Sequence, residues 1–318
     1  MIDVYEARRR IAPYIRRTPL VESTWLSDAS GARVWLKVES LQRTNSFKSR
    51  GAFNAVIARL ERGPLAQIVT ASAGNHGRGL AEAASTFKVP LIVFTPSDAP
   101  RAKLDAIRRQ GAELRADAPD YDEAERRAKA YALETGADFI SPYNDADVIA
   151  GAATVAIECF ETAPQLDTFV VPVGGGGLIS GIAHVVKAVD STRSVVGVEV
   201  LASHAFHASL ADGRLVEIVA GPTLADGLGG NPDPETITWP IIQRLVDRFV
   251  IVDEDDLRNA LIGLVEHEHL VTEGAGAAAT AAVLGHRIVC TGRNVAAIVS
   301  GANIDRARLA ALLASASE

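Results

Sequence analysis

Eight short runs rich in Val and Ile recur along the chain, at 32–38, 67–72, 90–96, 139–143, 168–174, 195–200, 248–253 and 296–301. Most lack strict apolar–polar alternation. That is the pattern of strands buried on both faces, as parallel sheets require. Helical stretches separate them. DYDEAERRAKAYALETG (120–136) opens with acids and stops at Gly136, and DEDDLRNALIGLVEHE (253–268) opens the same way, each in the sense the helix dipole favours. AGAAATAAVL (275–284) is half the roughly 20 residues a membrane span needs, and reads as a buried helix. Strand alternating with helix predicts an α/β fold with mostly parallel sheets. At 318 residues and roughly 100–200 per domain, two domains are expected.

Charge and cysteine content narrow the function. The formal net charge is -7, with no block of like charges, which disfavours a nucleic-acid or anionic-membrane surface. Cys159 and Cys290 stand far apart and make neither a disulfide framework nor a zinc spacing. The N-terminal stretch has no apolar core of a signal peptide, so a reducing cytoplasm is the expected home. The segment 220–240 is rich in Gly and Pro and reads as a long loop, either functional or a plain surface excursion.

Three turns carry chemistry. VGGGGLISG (173–181) follows a buried strand and enters an amphipathic helix. Glycines let backbone N–H groups approach an anion, and the helix points its positive end at the same spot. A phosphate cradle is expected. The P-loop Lys and Ser/Thr are missing, and the Rossmann register fails at Ile179 or Ser180. Glu199 ends the next strand, where a ribose-binding acid would sit, so a nucleotide reading stays open. TNSFKSRGAFNA (44–55) places Lys48 at the start of a helical pattern, where a lowered pKa would make it a nucleophile. TASAGNHGRGLAEAA (70–84) exposes backbone donors at a helix start, suited to a carboxylate. Asn75 offers a neutral donor and acceptor. His76 is either an acid–base group or a neutral structural ring.

SFKSRGA, SAGNHG, GGGGLISG, EGAGA (273–277) and VSGAN (299–303) occur in that order. Together they resemble the pyridoxal-phosphate enzymes of the tryptophan-synthase-β fold, fold type II, and within them the threonine/serine dehydratases and serine racemases. The resemblance implies two domains, each a mostly parallel twisted sheet covered by helices, with the cofactor in the cleft between them. It divides the chain into a large cofactor-binding domain, 1–64 with 145–318, and a small mobile domain, 65–144.

It also assigns roles. Lys48 matches the Schiff-base lysine and the general base at Cα. Gly174, Gly175, Gly176, Gly177 and Leu178 match the phosphate cradle. Asn75 matches the partner of the ring hydroxyl, Ser300 the partner of the pyridine nitrogen, and Phe47 a residue lining the ring. Ser72, Ala73, Gly74, Asn75 and His76 match the loop holding the substrate carboxylate. Glu273 matches an acidic position of variable role. The implied reaction is β-elimination from L-threonine or L-serine to a 2-oxo acid and ammonia. Other 3-hydroxyamino acids, such as 3-hydroxyaspartate or phenylserine, are alternatives.

Serine racemases carry a second Ser where this chain has Ala73, so little racemisation is expected. A cation site is implied at Glu199 and Ser203. Ala205 stands where some members have Asp, which favours a monovalent ion such as potassium. VSGAN departs from the family's SGGN at Ala302. A homodimer without an appended regulatory domain is the family expectation.

Overall fold

The computed structural model describes residues 2–99 and 101–314. In chain order the strands are β1 (Leu20–Ser23), β2 (Arg33–Val38), β3 (Ile68–Ala71), β4 (Leu91–Pro96), β5 (Glu113–Ala118), β6 (Asp138–Phe139), β7 (Thr168–Pro172), β8 (Ser194–Val200), β9 (Arg248–Val252) and β10 (Asn294–Val299). The helices are α1 (Val4–Ile11), α2 (Thr24–Ser30), α3 (Lys48–Arg62), α4 (Asn75–Phe87), α5 (Arg101–Arg108), α6 (Tyr121–Thr135), α7 (Ala146–Thr162), α8 (Gly177–Val189), α9 (Ala205–Asp212), α10 (Thr238–Leu245), α11 (Glu254–Glu268), α12 (Gly274–Leu284) and α13 (Arg306–Ala314).

The strands form two sheets, in the orders β1-β2-β10-β7-β8-β9 and β5-β4-β3-β6. All pairings are parallel except β1 with β2. This is the expected α/β architecture, and every one of the eight apolar runs carries a strand. The run at 139–143 shrinks to Asp138–Phe139. Pro142 has no N–H to give a ladder, and Ser141 Oγ instead accepts the Asn144 amide at 3.0 Å. The segment 220–240 is not all loop: a short 3-10 turn spans Asp226–Leu228, and α10 begins at Thr238.

The non-alternating runs have their cause in the first sheet. Along β10, Val295, Ala297 and Val299 face one core with α12, while Ala296 and Ile298 face the other with α7 and α8. Both faces are dry, so every position from Val295 to Val299 is apolar. Helix α12 is buried from Gly274 to Val283, and its alanines let it lie close to the sheet.

Helix α3 joins the two halves. Ala52, Phe53 and Val56 pack with Ile68, Leu80 and Val93 of the second sheet's core, although the sequence division placed α3 with the first. On α3's other side the backbone meets α7 so closely that a Cβ at Gly151 would lie 2.4 Å from the Arg50 carbonyl oxygen.

Beneath this crossing sits a buried charge cluster. Arg50 makes two bonds of 2.8 Å to Glu39, and bonds of 2.7 and 2.8 Å to Glu158. Lys37 Nζ donates to Glu158 Oε2 at 2.6 Å and to the Thr18 carbonyl at 2.8 Å. The Thr18 hydroxyl completes Glu39. Two cations and two anions balance, and β2, α3 and α7 are held together by the result.

Candidate active site

A cavity of about 380 Å³ opens at the C-terminal ends of β3, β7 and β10, where open parallel sheets bind ligands. Every residue expected at the site lines it except Glu199 and Ser203. Lys48 is the first residue of α3. Its Nζ donates to the Pro142 carbonyl at 2.8 Å and lies 5.1 Å from the centroid of the Phe47 ring. Burial pushes the amine down from 10.5 to about 8, because water is missing to solvate the charge.

The glycine turn follows β7. Gly176 has φ +85 and caps α8 without any side-chain hydrogen bond, so the first amides of α8 face the cavity uncapped. A Cβ at Gly175 would lie 2.3 Å from the Tyr143 ring, and one at Gly174 would lie 3.2 Å from the Gly227 carbonyl oxygen. Side chains are excluded here by contact. The turn is fixed from outside. Thr238 Oγ1 donates to the Gly175 carbonyl at 3.0 Å, and the Asp233 amide donates to the Tyr143 hydroxyl at 2.9 Å. Bare amides at a helix N-terminus fit a phosphate.

Opposite lies a polar chain spanning both sheets. Asn75 Nδ2 donates to Glu273 Oε1 at 2.6 Å, and Asn75 Oδ1 accepts from Asn303 Nδ2 at 2.6 Å. Arg78 Nη1 donates to Asn303 Oδ1 at 2.6 Å. Asn75 Nδ2 keeps a second hydrogen for a ligand. Burial pushes the Glu273 carboxyl up to about 7, against the pull of Asn75. Ser300 is buried at the end of β10, where its hydroxyl has a long 3.3 Å contact to the Ala275 carbonyl, and its own carbonyl accepts the Phe47 amide at 3.1 Å. His76 Nε2 meets the Ile140 carbonyl at 3.3 Å and Nδ1 has no partner. Burial, with the Lys48 charge adding to it, holds the ring at about 3, so it is neutral.

Glu199 and Ser203 lie away from the cavity. The Glu199 carboxylate accepts the amides of Phe206 at 3.0 Å and His207 at 2.7 Å and so caps α9. Ser203 Oγ bonds the backbone of Gly230. Among the described residues no group of three or more His, Cys, Asp or Glu side chains is placed to hold a metal. The nucleotide reading loses its ribose acid, because Glu199 is turned to α9. Tyr143, Thr238, Asn303 and Arg78 were missed as site residues. Asn303 stood inside the quoted VSGAN and Arg78 just beyond SAGNHG, but nothing in one sequence shows that they meet across the cleft.

The pyridoxal-phosphate dependent enzyme family model matches residues 11–301. An L-threonine ammonia-lyase of Thermotoga maritima is 39% identical over 303 residues, 95% of this chain and 75% of that protein. A maize serine racemase structure superposes with a TM-score of 0.91 at 32% identity, covering 99% of this chain and 96% of the other. A processed threonine deaminase isoform 2 from Solanum lycopersicum gives a TM-score of 0.88 at 30% identity over 99% and 94%. The glycine cradle, the half-buried lysine and a match that runs nearly end to end place this chain in the pyridoxal-phosphate dependent enzymes of fold type II.

Proposed function

We propose that this protein is an ammonia-lyase that eliminates water from L-threonine and, by the same chemistry, from L-serine. The observation that carries the reading is the half-buried Lys48 amine, lowered to about 8, on the wall of the cavity that holds the uncapped glycine turn. The residues fit pyridoxal phosphate: Gly174 to Leu178 would hold its phosphate, and Lys48, Phe47, Asn75 and Ser300 its ring. Bound there, the cofactor supplies an aldehyde that captures amines and a ring that withdraws electrons from Cα.

The chain's own residues do the rest. The loop from Ser72 to His76, at the start of α4, binds the substrate carboxylate through amides beyond that of Ser72, which is taken by the Phe94 carbonyl at 3.1 Å. The Lys48 amine is unprotonated in an appreciable fraction near neutral pH and takes the Cα proton. Ser300 offers the ring a hydroxyl rather than a charge, which favours prompt loss of the β-hydroxyl over a long-lived carbanion. Cα loses a proton and Cβ a hydroxyl, together one water. The released enamine then takes up one water and loses ammonia. Ala73 has no proton to return from the opposite face, so elimination dominates over racemisation.

Three further points belong to this reading. The protein works as a homodimer in a reducing cytoplasm, consistent with two free, buried cysteines. The unit 65–144 moves against the rest. Potassium binds at Glu199 and Ser203. The deciding experiment measures 2-oxo acid and ammonia from L- and D-threonine and serine with the holoenzyme and with Lys48→Ala. Turnover of L-threonine, lost in the variant, is expected. A yellow protein inert to both L-substrates overturns the reading.

A further inference from the structure

We propose that Asn303 is a positioning residue that fixes the direction of the Asn75 side-chain amide, so that Asn75 turns an N–H rather than a carbonyl toward the bound cofactor. This deepens the site just described and rests on the reading that Asn75 meets the ring hydroxyl. Asn303 stands four residues beyond the end of β10 and lines the cavity, half-buried.

The two ends of an amide side chain are alike in shape but opposite as hydrogen-bonding groups. At Asn303 two neighbours choose between its two directions. Arg78 Nη1 donates to Oδ1 at 2.6 Å, and Nδ2 donates to the Thr44 carbonyl at 2.9 Å. A guanidinium has no acceptor and a backbone carbonyl no donor. A reversed amide would lose both bonds and set like against like. The second N–H of Asn303 is therefore aimed at Asn75 Oδ1, at 2.6 Å. That puts Asn75 Nδ2 on the other side, where one hydrogen goes to Glu273 Oε1 at 2.6 Å and the other is left for a ligand. Glu273 does not make this choice. Burial pushes its carboxyl up to about 7, so near neutral pH both its forms are present, one accepting an N–H and the other able to donate to a carbonyl.

The turn that carries Asn303 is itself held. The Ala302 amide donates to the Asn45 carbonyl at 2.9 Å, the Phe47 amide donates to the Ser300 carbonyl at 3.1 Å, and Ser46 pairs with Gly301 in an isolated bridge. These bonds tie the end of β10 to the loop before Lys48 and keep the Thr44 carbonyl beside Asn303. The direction of Asn75 matters for the ring oxygen of the cofactor. An N–H stabilises that oxygen as an anion, and a carbonyl requires it to keep a proton. The anionic form absorbs in the visible and the protonated form in the near-ultraviolet, so the direction of Asn75 is read as colour.

The test uses the holoenzyme and its absorbance. In Asn303→Asp the Arg78 guanidinium keeps the new carboxylate ionised, so it can only accept. Asn75 must then turn its N–H groups to it and its carbonyl to the cavity. The ratio of visible to near-ultraviolet absorbance should fall at least about tenfold, the scale of one hydrogen bond to a charged group. Asn303→Ala lets Asn75 turn freely, and an intermediate fall is expected; if the Asp variant does not fold, this variant carries the comparison. Arg78→Gln removes the same unit of charge but leaves Thr44 to hold Asn303, so its ratio should fall less than that of Asn303→Ala. Cofactor titrated by fluorescence should bind more weakly in the same order. Asn75→Ala separates the assignment from the reading beneath it. A wild-type ratio in Asn75→Ala removes Asn75 from the ring, and both fall. A lowered ratio there beside a wild-type ratio in both Asn303 variants, or a fall in Arg78→Gln equal to that in Asn303→Asp, overturns the role of Asn303 alone.

Discussion

Replacing Arg50 by Met tests whether the buried charge cluster is held by charge balance. Arg50 is fully buried and meets both carboxylates of the cluster. Without it Glu158 keeps Lys37 at 2.6 Å, but Glu39 keeps only the Thr18 hydroxyl. One buried carboxylate is then uncompensated, a loss of about 3–5 kcal/mol. An unfolding entropy of about 2.1 cal/mol/K per residue, over 318 residues, converts that to a Tm lower by about 4–8 °C. The second variant is decisive. Arg50→Met with Glu39→Gln removes the orphaned charge and leaves Lys37 paired with Glu158. It should melt at least about 2 °C above Arg50→Met alone. Scanning calorimetry of the apo chains measures both. If the double variant melts lower than the single, the cost lies in lost packing rather than in charge, and the reasoning fails.

Three other outcomes follow from the site. Lys48→Ala should fold with an unchanged Tm to within about 2 °C yet be colourless with pyridoxal phosphate and inactive; a coloured, active variant removes Lys48 from its role. Gly175→Ala must push a methyl against the Tyr143 ring, an overpacking cost of about 1–3 kcal/mol; cofactor retained after dialysis should drop at least fivefold, and full retention would show that the ring yields freely. The third concerns pH. Glu273 titrates at about 7 in the folded chain against an ordinary 4.5, so the folded state binds more protons between these values. The stability it contributes is full below about pH 4.5 and is lost as pH rises through 7, on the order of 3 kcal/mol in all. The Tm of the apo chain should therefore fall more between pH 5 and 7.5 in wild type than in Glu273→Gln, and parallel curves would refute this.

The double-faced burial of β2, β7, β8 and β10 leaves its mark in sequence, because a residue there is apolar whichever way it points unless, like Lys37 and Glu199, its charge has buried partners. Strands β1 and β5 leave none. LVES and ELRADA are edge strands with exposed positions, and only a few of their side chains, such as Leu20, Leu114 and Ala118, reach a core. The glycine turn and Lys48 were legible because their chemistry is local: four bare amides and one amine, each with its helix start. Glu199 was legible only as an acid at a strand end. That its carboxylate would accept the first amides of α9 depends on residues seven and eight positions on. The Asn75–Asn303–Arg78 chain depends on residues more than 220 positions apart, and no spacing rule reaches that far.

The place of β10 has a consequence for how the chain is made. It is the last strand of the described residues, yet it lies between β2 and β7, near the middle of its sheet. A growing chain completes β2 and β7 long before the strand that joins them emerges. Until residue 299 is out, both carry an unpaired apolar edge, which invites pairing with another chain. Ser300 and its bond to the Phe47 amide arrive later still. The cofactor site is therefore closed only once residue 300 has emerged, and a chain released before residue 294 would hold the glycine cradle, the lysine and the asparagine without the strand that brings them to one cavity.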